Sequence, residues 1–154
     1  MAQLSLVFAF LVSTNTLATP VDFDWSNAAA DSKTESFSEA SALIEAEKFS
    51  EALPLLTSLA ETEPESADVF NLLGYARRKL GELELSGLDY ERALWLDPDH
   101  RGALEYQGEL FLLLGDVDKA EANLAHLEKV CPDDCEEAEE LAEAIALWRK
   151  EAPE

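Results

Sequence analysis

The chain has 154 residues, about one domain's worth, and 47% of them are hydrophobic, enough to bury a core. Asp and Glu number 33 against 11 Lys and Arg, a formal net charge of -22. That balance argues against nucleic acid, whose binding rests on clustered basic residues that neutralise phosphates; it favours solubility and the attraction of basic segments.

The first eighteen residues carry no charged side chain and hold an apolar run from Leu4 to Val12 before a polar stretch that ends at Ala18. This layout predicts a signal peptide over 1–18, without the usual basic n-region, cleaved after Ala18 to release a periplasmic or secreted protein. The run falls short of the roughly 17 to 25 apolar residues of a membrane span. Residues 19–32 are polar and acidic without a helical period, with Val21, Phe23 and Trp25 as their only large apolar residues, and read as a flexible lead-in.

Pro64, Pro98 and Pro132 then recur at intervals of 34 residues, and the stretches before them are alike. A fixed period of this size signals stacked helical pairs. In the unit 67–100, Phe70, Leu73, Gly74 and Arg77 form one helical stripe, and Leu83, Tyr90 and Leu94 give a second helix its buried side. Gly81 ends the first helix, as Gly115 does one period later, and Pro98 stops the second. The unit 101–134 keeps the register with Leu104, Gly108, Phe111, Gly115, Ala120, Leu124 and Pro132. The unit 33–66 keeps Leu43, Phe49, Ala52, Leu56 and Pro64 but has Ser36, Glu39 and Ala40 in its first helix, an erosion expected at the end of an array. Over 135–150, Ala138, Leu141, Ala142, Ile145 and Trp148 share one face and form a capping helix for the third unit, with acids at its start and Arg149 and Lys150 at its end, as the helix dipole prefers.

With Phe70, Leu73-Gly74, Tyr90, Ala93 and Pro98 at matching spacing, the middle unit resembles the tetratricopeptide repeat along its full length. The whole chain is similar to small exported bacterial tetratricopeptide proteins. The resemblance implies an all-α fold, an α-solenoid of three helix-turn-helix repeats plus the cap. It also implies an adaptor, scaffold or assembly role, with a peptide or partner protein held against the first helices, on the concave side. The stripe one residue beyond the packing stripe is then the candidate groove: Asn71, Tyr75 and Arg78 in the middle unit, Phe37, Ser41 and Ile44 before it, and Glu105, Glu109 and Leu112 after it. Two aromatics, two aliphatics, one Arg and two Glu suit an amphipathic or extended peptide with one basic group. Some family members grip a partner's C-terminal carboxylate with Lys and Asn; Glu105 and Glu109 would repel that ligand. Trp95 stands where the neighbouring units have Glu61 and Lys129, and is a candidate second contact on the convex side.

Cys131 and Cys135 frame a three-residue turn before the cap, and in an oxidising compartment two nearby thiols pair. The alternative reading is a thiol or metal protein built on this pair with His126, for which no fourth ligand is evident. A third is a structural protein that self-associates through its exposed repeat ends; the residues leave the oligomeric state open. Neither His100 nor His126 sits in a nucleophile or acid-base motif, and no glycine-rich phosphate loop occurs. The sequence therefore reads as a binding protein and not an enzyme, with no cofactor or metal expected.

Overall fold

The computed structural model describes residues 25–151, with side chains from 34 onward. The signal peptide expected over 1–18 and residues 19–24 of the lead-in lie outside the described residues. Seven helices follow in order: α1 (Trp25–Glu45), α2 (Phe49–Thr62), α3 (Ala67–Lys79), α4 (Leu83–Leu96), α5 (Arg101–Leu113), α6 (Val117–Val130) and α7 (Glu136–Glu151). The described residues contain no strand, and none of their helices is long and apolar enough to cross a membrane.

Two boundaries differ from the sequence reading. The backbone of residues 25–32, expected as lead-in, already belongs to α1; its run Ala28-Ala29-Ala30 is of the strongest helix former, which extends the helix beyond the repeat period. The cap runs from Glu136 to Glu151, one residue later at each end than the expected 135–150.

The helix ends follow from single residues. Each second helix stops two residues before the recurrent proline: α2 at Thr62, α4 at Leu96 and α6 at Val130. The first helices end through a left-handed residue, Gly81 and Gly115, both at φ 80°. The following amides fold back, Glu82 N–H onto the Arg77 carbonyl at 2.9 Å and Asp116 N–H onto the Phe111 carbonyl at 2.8 Å. In the eroded first repeat the same turn is made by Glu47 at φ 57°, where a side chain costs about 1–2 kcal/mol. Helix starts are capped by Ser66, whose Oγ accepts from Val69 N–H, by His100, whose Nδ1 accepts from Ala103 N–H at 3.1 Å, and by Asp116, which accepts from Lys119 N–H. Because Nδ1 of His100 is an acceptor, its Nε2 carries the proton and donates to Asp68 at 3.1 Å, tying the starts of α3 and α5 together.

The helices pair as α1 with α2, α3 with α4 and α5 with α6, and α7 packs on both α5 and α6. First helices touch one another, α1 with α3 and α3 with α5, whereas α2, α4 and α6 do not. The touching layer is the inner, concave one and the splayed layer the outer, convex one. Glycine permits the closest approaches: a Cβ on Gly74 would lie 2.8 Å from the Tyr90 ring, and one on Gly108 would lie 2.6 Å from Leu141 of α7.

Two apolar clusters result. One joins Ala40, Ala52, Leu56, Leu59, Val69, Leu73 and Ala76 from α1 to α3. The other joins Leu104, Leu112, Ala120, Leu127, Cys135, Ala138, Leu141 and Ile145 from α5 to α7. Between them the α3–α4 layer is richer in polar groups. Ser86 is fully buried and donates to the Gly74 carbonyl at 2.7 Å. One nitrogen of Arg77 donates to both oxygens of Asp89, at 2.9 and 2.7 Å. Burial outweighs the attraction of Arg77 and raises the Asp89 carboxyl to about 6. Cys131 and Cys135 form a disulfide with Cα atoms 5.6 Å apart, joining the end of α6 to the start of α7.

Candidate functional site

Tyr75 of α3 and Tyr106 of α5, with Phe49 at the start of α2, build an aromatic ladder. The Tyr75 ring meets the Phe49 ring edge-on at 5.8 Å and lies 4.6 Å from the Tyr106 ring. The Arg78 guanidinium sits 5.3 Å from Tyr75 and 5.7 Å from Tyr106, and Lys79 lies 5.2 Å from Tyr75. Arg78 also forms an ion pair with Glu109. The buried phenol of Tyr90 stands against the same guanidinium, and burial pushes its pKa up despite that positive neighbour.

Beside the ladder, the C-terminal ends of α3, α5 and α7 leave an open recess of about 300 Å³. Arg78 and Glu109 form its polar wall, Leu112 and Leu113 its floor, and Ala144, Leu147, Trp148 and Glu151 of α7 its far side. Leu113 and Leu147 are 62% and 49% exposed, unusual for leucines grouped in one hollow.

The nine residues expected to line a groove do not act as one surface, and Ser41 spends its hydroxyl on the Phe37 carbonyl of its own helix at 2.9 Å. Tyr75, Arg78, Glu109 and Leu112 converge on the ladder and recess, Leu112 being nearly buried beneath it. Phe37 and Ile44 instead pack against the N-terminal apolar cluster, and Phe37 lines a separate hollow with Ser66 and Asp68. Asn71 and Glu105, expected on the groove surface, are buried at 7% and 4% exposure. They occupy equivalent places in α3 and α5, where the next inner helix closes over the stripe: Asn71 faces Gly102 of α5, and Glu105 faces Glu140 of the cap α7. Burial lifts the Glu105 carboxyl to about 9, helped by a hydrogen bond and repulsion from Glu140 and by the charges of Glu109 and Glu137. The Tyr106 phenol is likewise raised to about 12, by burial first and then by Glu105 and Tyr75.

Sequence reasoning missed Phe49 and Tyr106 as ladder rungs and Leu113, Leu147 and Trp148 as recess walls. The signal for Leu147 was its position beside the apolar face assigned to α7, which read as capping alone. His126 pairs with Asp99 at 2.8 Å and not with the cysteines. The group that does converge is Cys131, Cys135 and Glu137, with ligand atoms within 4.8 Å of one another, but the two sulfurs are bonded to each other. Trp95 is 70% exposed on α4, 4.4 Å from the Arg92 guanidinium.

Residues 37–94 and 88–130 match the family model of the tetratricopeptide repeat, together more than half of the chain. The protein belongs to the tetratricopeptide repeat family. No curated protein matches it. Among solved structures, the Yersinia enterocolitica type III secretion translocator chaperone SycD superposes with a TM-score of 0.68 at 22% identity, over 79% of this chain and 96% of that one. PcrH in complex with the chaperone binding region of PopD gives 0.68 at 21%, over 79% and 91%. The TPR2B domain of yeast Sti1, in its pHsp70 complex, gives 0.70 at 16%, over 78% and 98%. Similarity at these identities speaks for the fold.

Proposed function

We propose that this protein is an exported, non-enzymatic adaptor or assembly factor that holds a segment of a partner protein along its concave side. The observation that carries the reading is the recess beside the Phe49–Tyr75–Tyr106 ladder, where exposed Leu113 and Leu147 face the Arg78–Glu109 pair. Such a hollow accepts one apolar side chain of the segment, while the ladder offers flat surface to the chain that follows it. Its own lining carries Glu109 and Glu151 against the guanidinium of Arg78, which Glu109 already engages, so a segment with a Lys or Arg next to its apolar anchor fits best. The complexes of PcrH with the chaperone binding region of PopD and of the Sti1 domain with pHsp70 support a partner-holding role by analogy of fold. Export rests on the signal-like residues 1–18 and agrees with the Cys131–Cys135 disulfide.

The test is a recess variant that spares the core. Leu113→Gln with Leu147→Gln changes two exposed side chains, so the helical circular dichroism and melting temperature are expected to hold. Affinity capture from the host's own extract with wild type and variant side by side is expected to retain a partner only on wild type. Equal capture by both proteins refutes the recess as the binding site.

A further inference from the structure

The convex side of α4 carries a second feature that the concave reading does not use. Leu85, Leu88 and Trp95 are 45%, 61% and 70% exposed, and with Arg92 they fall at i, i+3, i+7 and i+10, one stripe about 15 Å long at 1.5 Å per residue. The fold does not require apolar groups there. At the places of Leu85, Leu88 and Trp95, α2 has Glu51, Pro54 and Glu61 and α6 has Lys119, Ala122 and Lys129. Nor does a neighbour cover the stripe, since α4 packs on α3 and α5 and touches neither α2 nor α6.

The charges around the stripe indicate what does cover it. Arg92 is already engaged: it donates to the Pro64 carbonyl at 2.8 Å and lies over the Trp95 and Phe70 rings at 4.4 and 5.6 Å. Glu84 and Glu91, both exposed and seven residues apart, run alongside Trp95 and Leu88 as a one-sided acidic rim. We infer that this face docks a cationic amphipathic helix of a partner protein, its apolar residues on Leu85, Leu88 and Trp95 and its Lys or Arg over Glu84 and Glu91. A helix suits a straight stripe on a helix, because side-chain ridges of one enter grooves of the other, whereas strand addition needs an open sheet edge. A second copy of this chain would bring the acidic rims together, within a pair each carrying -22.

The probe is a synthetic amphipathic helix of Leu and Lys, paired with a peptide of equal composition whose leucines are scrambled off one face. Wild-type protein is expected to bind the amphipathic peptide at least about tenfold tighter in physiological salt, the scale of one buried aromatic anchor. Leu88→Gln with Trp95→Gln, which leaves charge unchanged, is expected to erase that preference, and Leu113→Gln with Leu147→Gln to keep it. Equal binding of the two peptides to wild type overturns the inference, as does a preference that survives in the α4 variant or vanishes only in the recess variant. A wild-type dimer by light scattering that the α4 variant dissociates also overturns it, in favour of a second copy. Because the recess offers its own apolar hollow to such a peptide, the α4 substitutions are compared in the Leu113→Gln, Leu147→Gln background, where the recess does not contribute.

Discussion

Glu105 shows what a single buried carboxyl does to the molecule. Its carboxyl is raised to about 9 by burial first, then by a hydrogen bond and repulsion from Glu140 and by the charges of Glu109 and Glu137. The native state therefore keeps a proton that the unfolded chain has released, and stability falls as pH rises from about 4.5 to about 9, by at most about 1.4 kcal/mol per unit. Asp89 acts in the same direction, but only up to about 6. The interval between 6 and 9 is thus where Glu105 is separable. Glu105→Gln, which keeps a donor for Glu140, is expected to raise the urea midpoint at pH 8.5 more than at pH 6.5 and to flatten the slope between them. An unchanged slope contradicts the assignment.

At the scale of elements, the close approach of α5 and α7 depends on Gly108. An alanine there gains about 1 kcal/mol of helix propensity but meets Leu141, which is fully buried and has no room to retreat. Overpacking of this kind costs about 1–3 kcal/mol, so Gly108→Ala is expected to lower the melting temperature, and shortening Leu141 to Val is expected to recover part of the loss in a double-mutant cycle. The elements themselves were legible in the sequence: the prolines, Gly81, Gly115 and the close-contact glycines carry backbone requirements that any reader can locate. The site was legible only in part. Asn71 and Glu105 sit on the expected stripe, yet helix-to-helix contact along the inner layer buries them, and that contact depends on solenoid curvature, which a one-dimensional period does not encode. The part of α7 in the recess was hidden for a similar reason, since Leu147 and Trp148 meet Arg78 only after three separate helices are brought together.

Over the whole molecule, contacts run between neighbouring helices, so stability is a sum of local terms along the stack. The disulfide closes a very short loop and adds about 2 kcal/mol on the chain-entropy model, acting on the C-terminal unit alone. Cys131→Ser with Cys135→Ser is therefore expected to quicken amide hydrogen exchange in α7 while the amides of α2 and α3 hold their protection. Uniform acceleration along the chain would instead mean that the stack opens as one unit.

The two apolar clusters and the polar layer between them have a mechanical meaning as well. Apolar packing joins α1 to α3 at one end and α5 to α7 at the other, and between them the buried Tyr90 ring sits on Gly74 while Arg77–Asp89 and Ser86 tie α4 to α3 by directional bonds. Arg78 stands on α3 and Trp148 packs on the C-terminal cluster, so the two walls of the recess belong to different clusters, and a substitution that shifts α3 against α5 is expected to alter its width.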